Sequence, residues 1–319
     1  MDEDRQQRLA QVASMYYEDE LTQRAIGEQL GLSRVKVYRL LKEARAEGIV
    51  EIAIHWPLRR DGDMETALKR TFGLGEALVL QSGPIKLEAA LQRLGQLGAR
   101  YLEQILVDGM TLAVCLGRST YEVIDAIRPG FQAQVNVAQA MGSLPFAMGD
   151  LDSASLARRL AQRLGGDVLY LSSPLIAESK ADAAVLRNQR DIRRALDAAR
   201  RADVALLGIG NLDPDMSGLV TSGFLTAAEL KELIASGAVG DVAGRIYMCN
   251  GDLHSTPVNE RVIGVDFDSL RNIPLTIAAV VGAEKAGAIC GALRGGLVDT
   301  LVTDARTAAA VLEMEQREA

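Results

Sequence analysis

Residues 21–48 read LTQRAIGEQLGLSRVKVYRLLKEARAEG, and their spacing predicts two helices around a short glycine-containing turn. Thr22 is placed to cap the first helix, whose apolar positions Ala25, Ile26 and Leu30 recur at helical spacing. Gly31-Leu32-Ser33 makes the turn, Ser33 caps the second helix, and Gly48 stands where a helix C′ residue belongs. Gly27 weakens a helix interior by about 1 kcal/mol relative to Ala. Its presence is expected where a second helix crosses too closely for a side chain. This is the pattern of a helix-turn-helix.

Laid out at 100° per residue, Val37, Leu40, Leu41 and Ala44 share one arc of about 100°, the width of a core-facing stripe. Arg34, Tyr38, Lys42 and Arg45 share another, with Val35 and Arg39 beside them and Lys36 beyond. Between Arg34 and Arg45 stand five basic residues and one acid, Glu43, in a chain whose formal net charge is −7. A basic face on an acidic protein suits phosphate contact and groove entry. A solvated face on an ordinary helix is the plain alternative; the capped preceding helix and the tight turn favour DNA. The residues expected at DNA are Thr22, Ser33, Arg34, Lys36, Tyr38, Arg39 and Lys42.

The chain of 319 residues is about two domains long, and 48% apolar content is ample for their cores. Aromatics make up 4%, so the cores must be built from Leu, Val, Ile and Ala. Cys115, Cys249 and Cys290 lie in apolar surroundings without a CxxC or a histidine cluster, and read as three reduced, buried thiols. The chain shows no signal-peptide pattern and no apolar run near 18 residues, which points to the cytoplasm and away from a membrane.

Arg5 to Tyr17 has the period of a further amphipathic helix, and Ile49 to Ile54 the β-branched content of a short strand that would serve as a wing. Arg59-Arg60-Asp61-Gly62-Asp63 is the best linker, which sets the domains at 1–57 and 58–319. Beyond it, apolar strands alternate with helices, the mark of a mostly parallel, Rossmann-like α/β sheet. Strands are expected at Ala77–Leu80, Thr111–Leu116, Val135–Met141, Val168–Leu171, Asp203–Ile209, Arg245–Cys249, Val262–Asp266, Thr276–Val281 and Val298–Thr303.

In such sheets ligands bind beyond the carboxyl ends of the strands. Three of those ends carry glycine with small polar residues: Gly117-Arg118-Ser119-Thr120, Gly142-Ser143, and Gly208 to Asn211, which includes Gly210. The first is the sharpest. Its glycine permits a close turn, two hydroxyls follow, Arg118 adds charge, and the next helix offers free N–H groups to an anion. It is neither a GxxxxGK[ST] nor a GxGxxG loop, so a nucleotide has no support.

The whole chain resembles the SorC family of bacterial sugar-responsive transcriptional regulators. The resemblance rests on YYEDELTQRAIGEQLGLSRVKVYRLLKEARAEGIV, the GRST loop, ADVALLGIG, SGAVGDVAGR, and the run from Pro274 to Leu312. It implies an effector domain similar to sugar-phosphate isomerase and deaminase folds, a phosphorylated sugar or polyol as effector, and a homodimer or homotetramer. It further implies that Gly117 to Thr120 and Lys285 hold the effector phosphate, and that Asp241 sits near the sugar hydroxyls. Arg118 is a departure, since the family loop often has a small residue there. No cofactor and no metal are implied.

The rival is an isomerase or deaminase carrying a DNA-binding extension. Those reactions need a positioned base, and the deaminase-like enzymes place Asp and His after the GIG-type turn. Here that stretch is Asn211-Leu212-Asp213-Pro214-Asp215, without histidine. His55 and His254 read as ordinary surface residues, and Asp213, Asp215 and Asp252 as solvated turn carboxylates.

Overall fold

The structure, a computed structural model, describes residues 2–50, 57–81, 83, 86–115, 117–128, 130–131, 133–144 and 153–318. The chain divides into two compact units, Met1–Pro57 and Leu58–Ala319.

The first unit holds α1 (Asp2–Tyr17), α2 (Gln23–Leu30) and α3 (Arg34–Ala46) around a small core of Leu9, Val12, Ile26, Val37, Leu41 and Ala44. Both caps form: the Thr22 hydroxyl accepts from the Ala25 N–H and the Ser33 hydroxyl from the Lys36 N–H, each at 3.2 Å. A Cβ on Gly27 would stand 2.5 Å from the Leu32 carbonyl oxygen. The close neighbour that requires glycine is therefore the backbone of the turn, not a crossing helix. The strand expected at Ile49–Ile54 reaches into residues 51–56, outside the described residues, as does His55.

The second unit is built on β1 (Glu76–Leu80), β2 (Thr111–Val114), β3 (Val135–Gln139), β4 (Gly165–Leu169) and β5 (Val204–Leu207). After β6 (Gly210–Asn211), β7 (Ala238–Val242) and β8 (Arg245–Met248) come β9 (Leu275–Ala279) and β10 (Thr300–Asp304). Seven of these make one parallel sheet in the order β1-β10-β9-β5-β2-β3-β4, and β6, β7 and β8 a small antiparallel one. Successive residues of β2 feed opposite faces: Leu112 and Val114 enter one apolar core, Ala113 and Cys115 the other. Burial on both faces is why these strands read as continuous apolar runs. One face is covered by α5 (Leu87–Ile105), α6 (Arg118–Asp125) and α7 (Ser153–Leu164). The other is covered by residues from the helices Gly62–Phe72, Ala286–Arg294 and Ala305–Glu318.

Four expectations change. The Arg59–Asp63 linker runs into a helix, Gly62–Phe72, capped by Asp61, whose Oδ1 accepts from the Met64 N–H at 3.2 Å. Arg60 closes the turn on Glu65 at 2.6 and 2.9 Å, so this charge run is a helix start. Val262–Asp266 is no sheet strand; its β-type pairing is confined to isolated bridges, Ile176 to Val262 and Met141 to Gly264. Cys249 is exposed while Cys115 and Cys290 are buried. His254 is buried, its Nε2 lying 3.0 Å from the Ser236 hydroxyl, because the chain folds back along β8, where the His254 N–H donates to the Ile246 carbonyl at 2.9 Å.

Candidate functional site

The order in which the chain lays down its parallel strands reverses between β2 and β5. The chain leaves β2 toward β3 and β4, then returns to lay β5, β9 and β10 on the other side. Loops leaving two such strands diverge and open a crevice at their carboxyl ends. A cavity of about 310 Å³ lies there. Its wall takes Gly117, Arg118 and Ser119 from the end of β2, Gly208 to Gly210 from the end of β5, Asp241 from β7, and Glu284 and Lys285 from beyond β9.

α6 begins directly behind Gly117, and no side chain caps it. The first-turn N–H groups of an α-helix have no intrahelical acceptor, so they stand ready for an anion. Ser119 is buried and lines the cavity. Thr120 does not: it is fully buried, and its hydroxyl donates to the Gly117 carbonyl at 2.9 Å, closing the turn.

Gly142 and Ser143 also stand outside the lining, which takes their neighbours Met141 and Leu144 instead. The Ser143 N–H donates to the Ser173 carbonyl at 2.8 Å, and the Leu175 N–H to the Ser143 carbonyl at 3.0 Å. A Cβ on Gly142 would fall on the Pro174 carbonyl. The pair is used in holding the 173–175 segment.

Lys285 ends a short 3-10 turn, Ala283–Lys285, and its ammonium donates to the Ile209 carbonyl at 3.2 Å. Burial lowers its pKa, against the opposing pull of the Asp241 and Glu284 carboxylates. Asp241 is pushed up to about 6 by burial, offset in part by the Lys285 charge and the Gly244 N–H. β7 and β8 are joined by a two-residue turn with positive φ at both Ala243 (53°) and Gly244 (76°), the geometry that suits a tight hairpin. The hairpin fixes Asp241 in the wall of the crevice, an arrangement that strand periodicity does not predict.

Cys115 and Met216 also line the cavity and were not foreseen. Burial, and secondarily the Asp241 charge, push the Cys115 thiol up to about 12, so it is an apolar wall and not a nucleophile. Asp213 is used in its own turn, accepting from the Asp215 N–H at 2.9 Å. Asp252 likewise accepts from the Asn250 amide at 2.7 Å. Among the described residues no group of three His, Cys, Asp or Glu side chains is placed to hold a metal.

In the first unit Arg34, Lys36, Tyr38, Arg39, Lys42 and Arg45 are all exposed along α3. The acids nearest them are drawn aside: Arg5 of α1 pairs with Glu43 at 3.2 Å and Glu47 at 2.5 Å. The Thr22 and Ser33 hydroxyls are engaged as caps.

A doubly wound parallel sheet with a largely apolar cavity at its switch point, bearing a few charged groups, defines a small-molecule-binding α/β domain. Residues 57–313 match the family described as "Putative sugar-binding domain". The chain is 32% identical to the transcriptional regulator LsrR of Escherichia coli K12, over 96% of this chain and 95% of that one. It is 29% identical to the deoxyribonucleoside regulator of Bacillus subtilis, over 98% and 99%. The crystal structure of the full-length sorbitol operon regulator SorC from Klebsiella pneumoniae superposes with a TM-score of 0.73 at 28% identity, covering 97% of this chain and 99% of that one. The chain belongs to the SorC-like family of transcriptional regulators that carry this sugar-binding domain.

Proposed function

We propose that this chain is a DNA-binding transcriptional regulator of a carbohydrate-utilisation operon, controlled by a phosphorylated sugar or polyol. The observation that carries the effector half is the crevice itself. An uncapped helix N-terminus, Arg118 and Lys285 line it together with the buried Asp241 carboxylate. The first set suits a phosphate, the second a pair of sugar hydroxyls. The operator half rests on the exposed cations of α3, with Arg34, Tyr38 and Arg39 toward the major groove and Lys42 nearer phosphates. One such helix reads few base pairs, so the working form is a homodimer or homotetramer on paired half-sites. Among the described residues no helix is long and apolar enough to cross a membrane, which fits work on DNA in the cytoplasm.

A thermal-shift screen of phosphorylated sugars and polyols, with the unphosphorylated compounds alongside, tests the effector. A ligand that binds the folded state raises its apparent stability by mass action. Tighter binding of an unphosphorylated sugar would remove the phosphate from the proposal. The isomerase reading would make Asp241 the base, and incubation with the best ligand, followed by chromatography, would reveal turnover if that were the role.

A further inference from the structure

The outward face of α3 carries two apolar side chains that charge does not account for. Val35 is 61% exposed and Tyr38 55% exposed, and Val35 takes no part in the apolar cluster of this unit. Counting about 100° per residue from Arg34, the core stripe Val37-Leu40-Leu41-Ala44 centres at about 290°. Val35 then stands at about 100°, within roughly 10° of directly opposite that stripe, flanked by Lys42 at about 80° and Arg39 at about 140°. A β-branched residue there gains nothing from the core and is a poorer helix former than the Lys or Glu that a solvated face ordinarily carries.

The patch is small, about one isopropyl group beside one phenol, and it is ringed by cations. Its complement is an anionic surface that presents a single methyl group between charges. The major groove of DNA is such a surface, because thymine alone among the bases places a C5-methyl at the groove edge, between two phosphate rows. We infer that Val35 reads a thymine in the operator by packing on its C5-methyl group, with Tyr38 closing one side of the contact. The inference rests on the DNA-binding reading of α3. It assigns the apolar part of the specificity, which the arginines do not supply.

The test separates the two. A random duplex pool is selected on the full-length protein, and each thymine of the best duplex is replaced in turn by deoxyuridine, which lacks only the methyl group. At one thymine per half-site the replacement weakens binding about fourfold, the equivalent of about 0.8 kcal/mol for a buried methyl-sized group. The Val35→Ala protein, whose substitution is at an exposed helical position, binds the thymine and deoxyuridine duplexes equally well. If no position responds to deoxyuridine, or if the response survives in Val35→Ala, the thymine contact is overturned while DNA binding stands. If no duplex is enriched, the DNA-binding reading falls and the contact with it.

Discussion

Gly210 and Asp241 face each other across the β6–β7 ladder, and the Asp241 carboxylate occupies the place where a side chain on residue 210 would stand. The glycine that ends the β5 turn is thus a seat for an acid 31 positions further along the chain. Gly210→Ala must displace that carboxylate from the crevice. We expect a folded protein, less stable by about 1–3 kcal/mol from overpacking, with effector affinity reduced at least about tenfold by calorimetry. Unchanged affinity would take Asp241 out of the site.

Asp241 also sets a pH dependence. Its folded-state carboxyl titrates at about 6 against 3.8 for the free side chain, so the folded state holds the proton more tightly. Stability from this group is therefore fully present below the unfolded value and is lost as pH rises through about 6. The Asp241→Asn variant should be more stable than the parent at pH 8, by roughly 3 kcal/mol at most. The gap should close as pH falls toward 4. Urea unfolding at a series of pH values reads this. A variant less stable than the parent at pH 8 would give the Lys285 attraction the larger share.

Lys285→Ala removes the cation that reaches over the Ile209 carbonyl into the cavity. A charge-assisted contact to phosphate contributes about 1.5–3 kcal/mol, so affinity for the best phosphorylated ligand should fall on the order of 10- to 150-fold. Operator binding without effector should be nearly unchanged. Thr120→Ser keeps the hydroxyl that closes the Gly117 turn and should bind almost normally, whereas Thr120→Val loses that hydrogen bond and should weaken effector binding by loosening the loop. Calorimetric titration of the three variants decides.

At the operator, Lys42→Ala should weaken binding about equally across sequences and reduce the salt slope by about 1. The Arg34→Ala/Arg39→Ala double variant should also relax sequence preference. Operator affinity untouched by the double change would place the interface elsewhere.

Gly27→Ala sets a Cβ against the backbone carbonyl of Leu32, which has no rotamer with which to retreat. The first unit should lose stability by about 1–3 kcal/mol, read as weaker operator binding at elevated temperature. The thermal shift produced by the effector should remain. Normal operator binding at every temperature would mean that the α2–α3 turn is adaptable.

The helices of the first unit were legible in the sequence because their determinants lie within four residues. Thr22 and Ser33 cap by local geometry, and Val37, Leu40, Leu41 and Ala44 mark a buried face by period alone. The parallel strands were legible as apolar runs, since burial on both faces leaves no polar alternation. Even so, a local signal can hide: at Arg59–Asp63, Asp61 with Glu65 four residues on is a helix start inside a charge run that has the composition of a linker. The strand-end glycine loops bring Gly117, Arg118, Ser119 and Gly210 into view as candidates, the family resemblance adds Asp241 and Lys285, and all six line one cavity. Only the tertiary structure decided which of their neighbours join them. Thr120 turns inward to Gly117, and Gly142 and Ser143 are taken by the 173–175 segment. Strand order is set by pairings between segments far apart in the chain, as where Leu207 of β5 pairs with Ala278 of β9, and no window of residues contains both partners of such a contact. The reversal between β2 and β5 that opens the crevice is a property of that order, so it exists only in the assembled sheet.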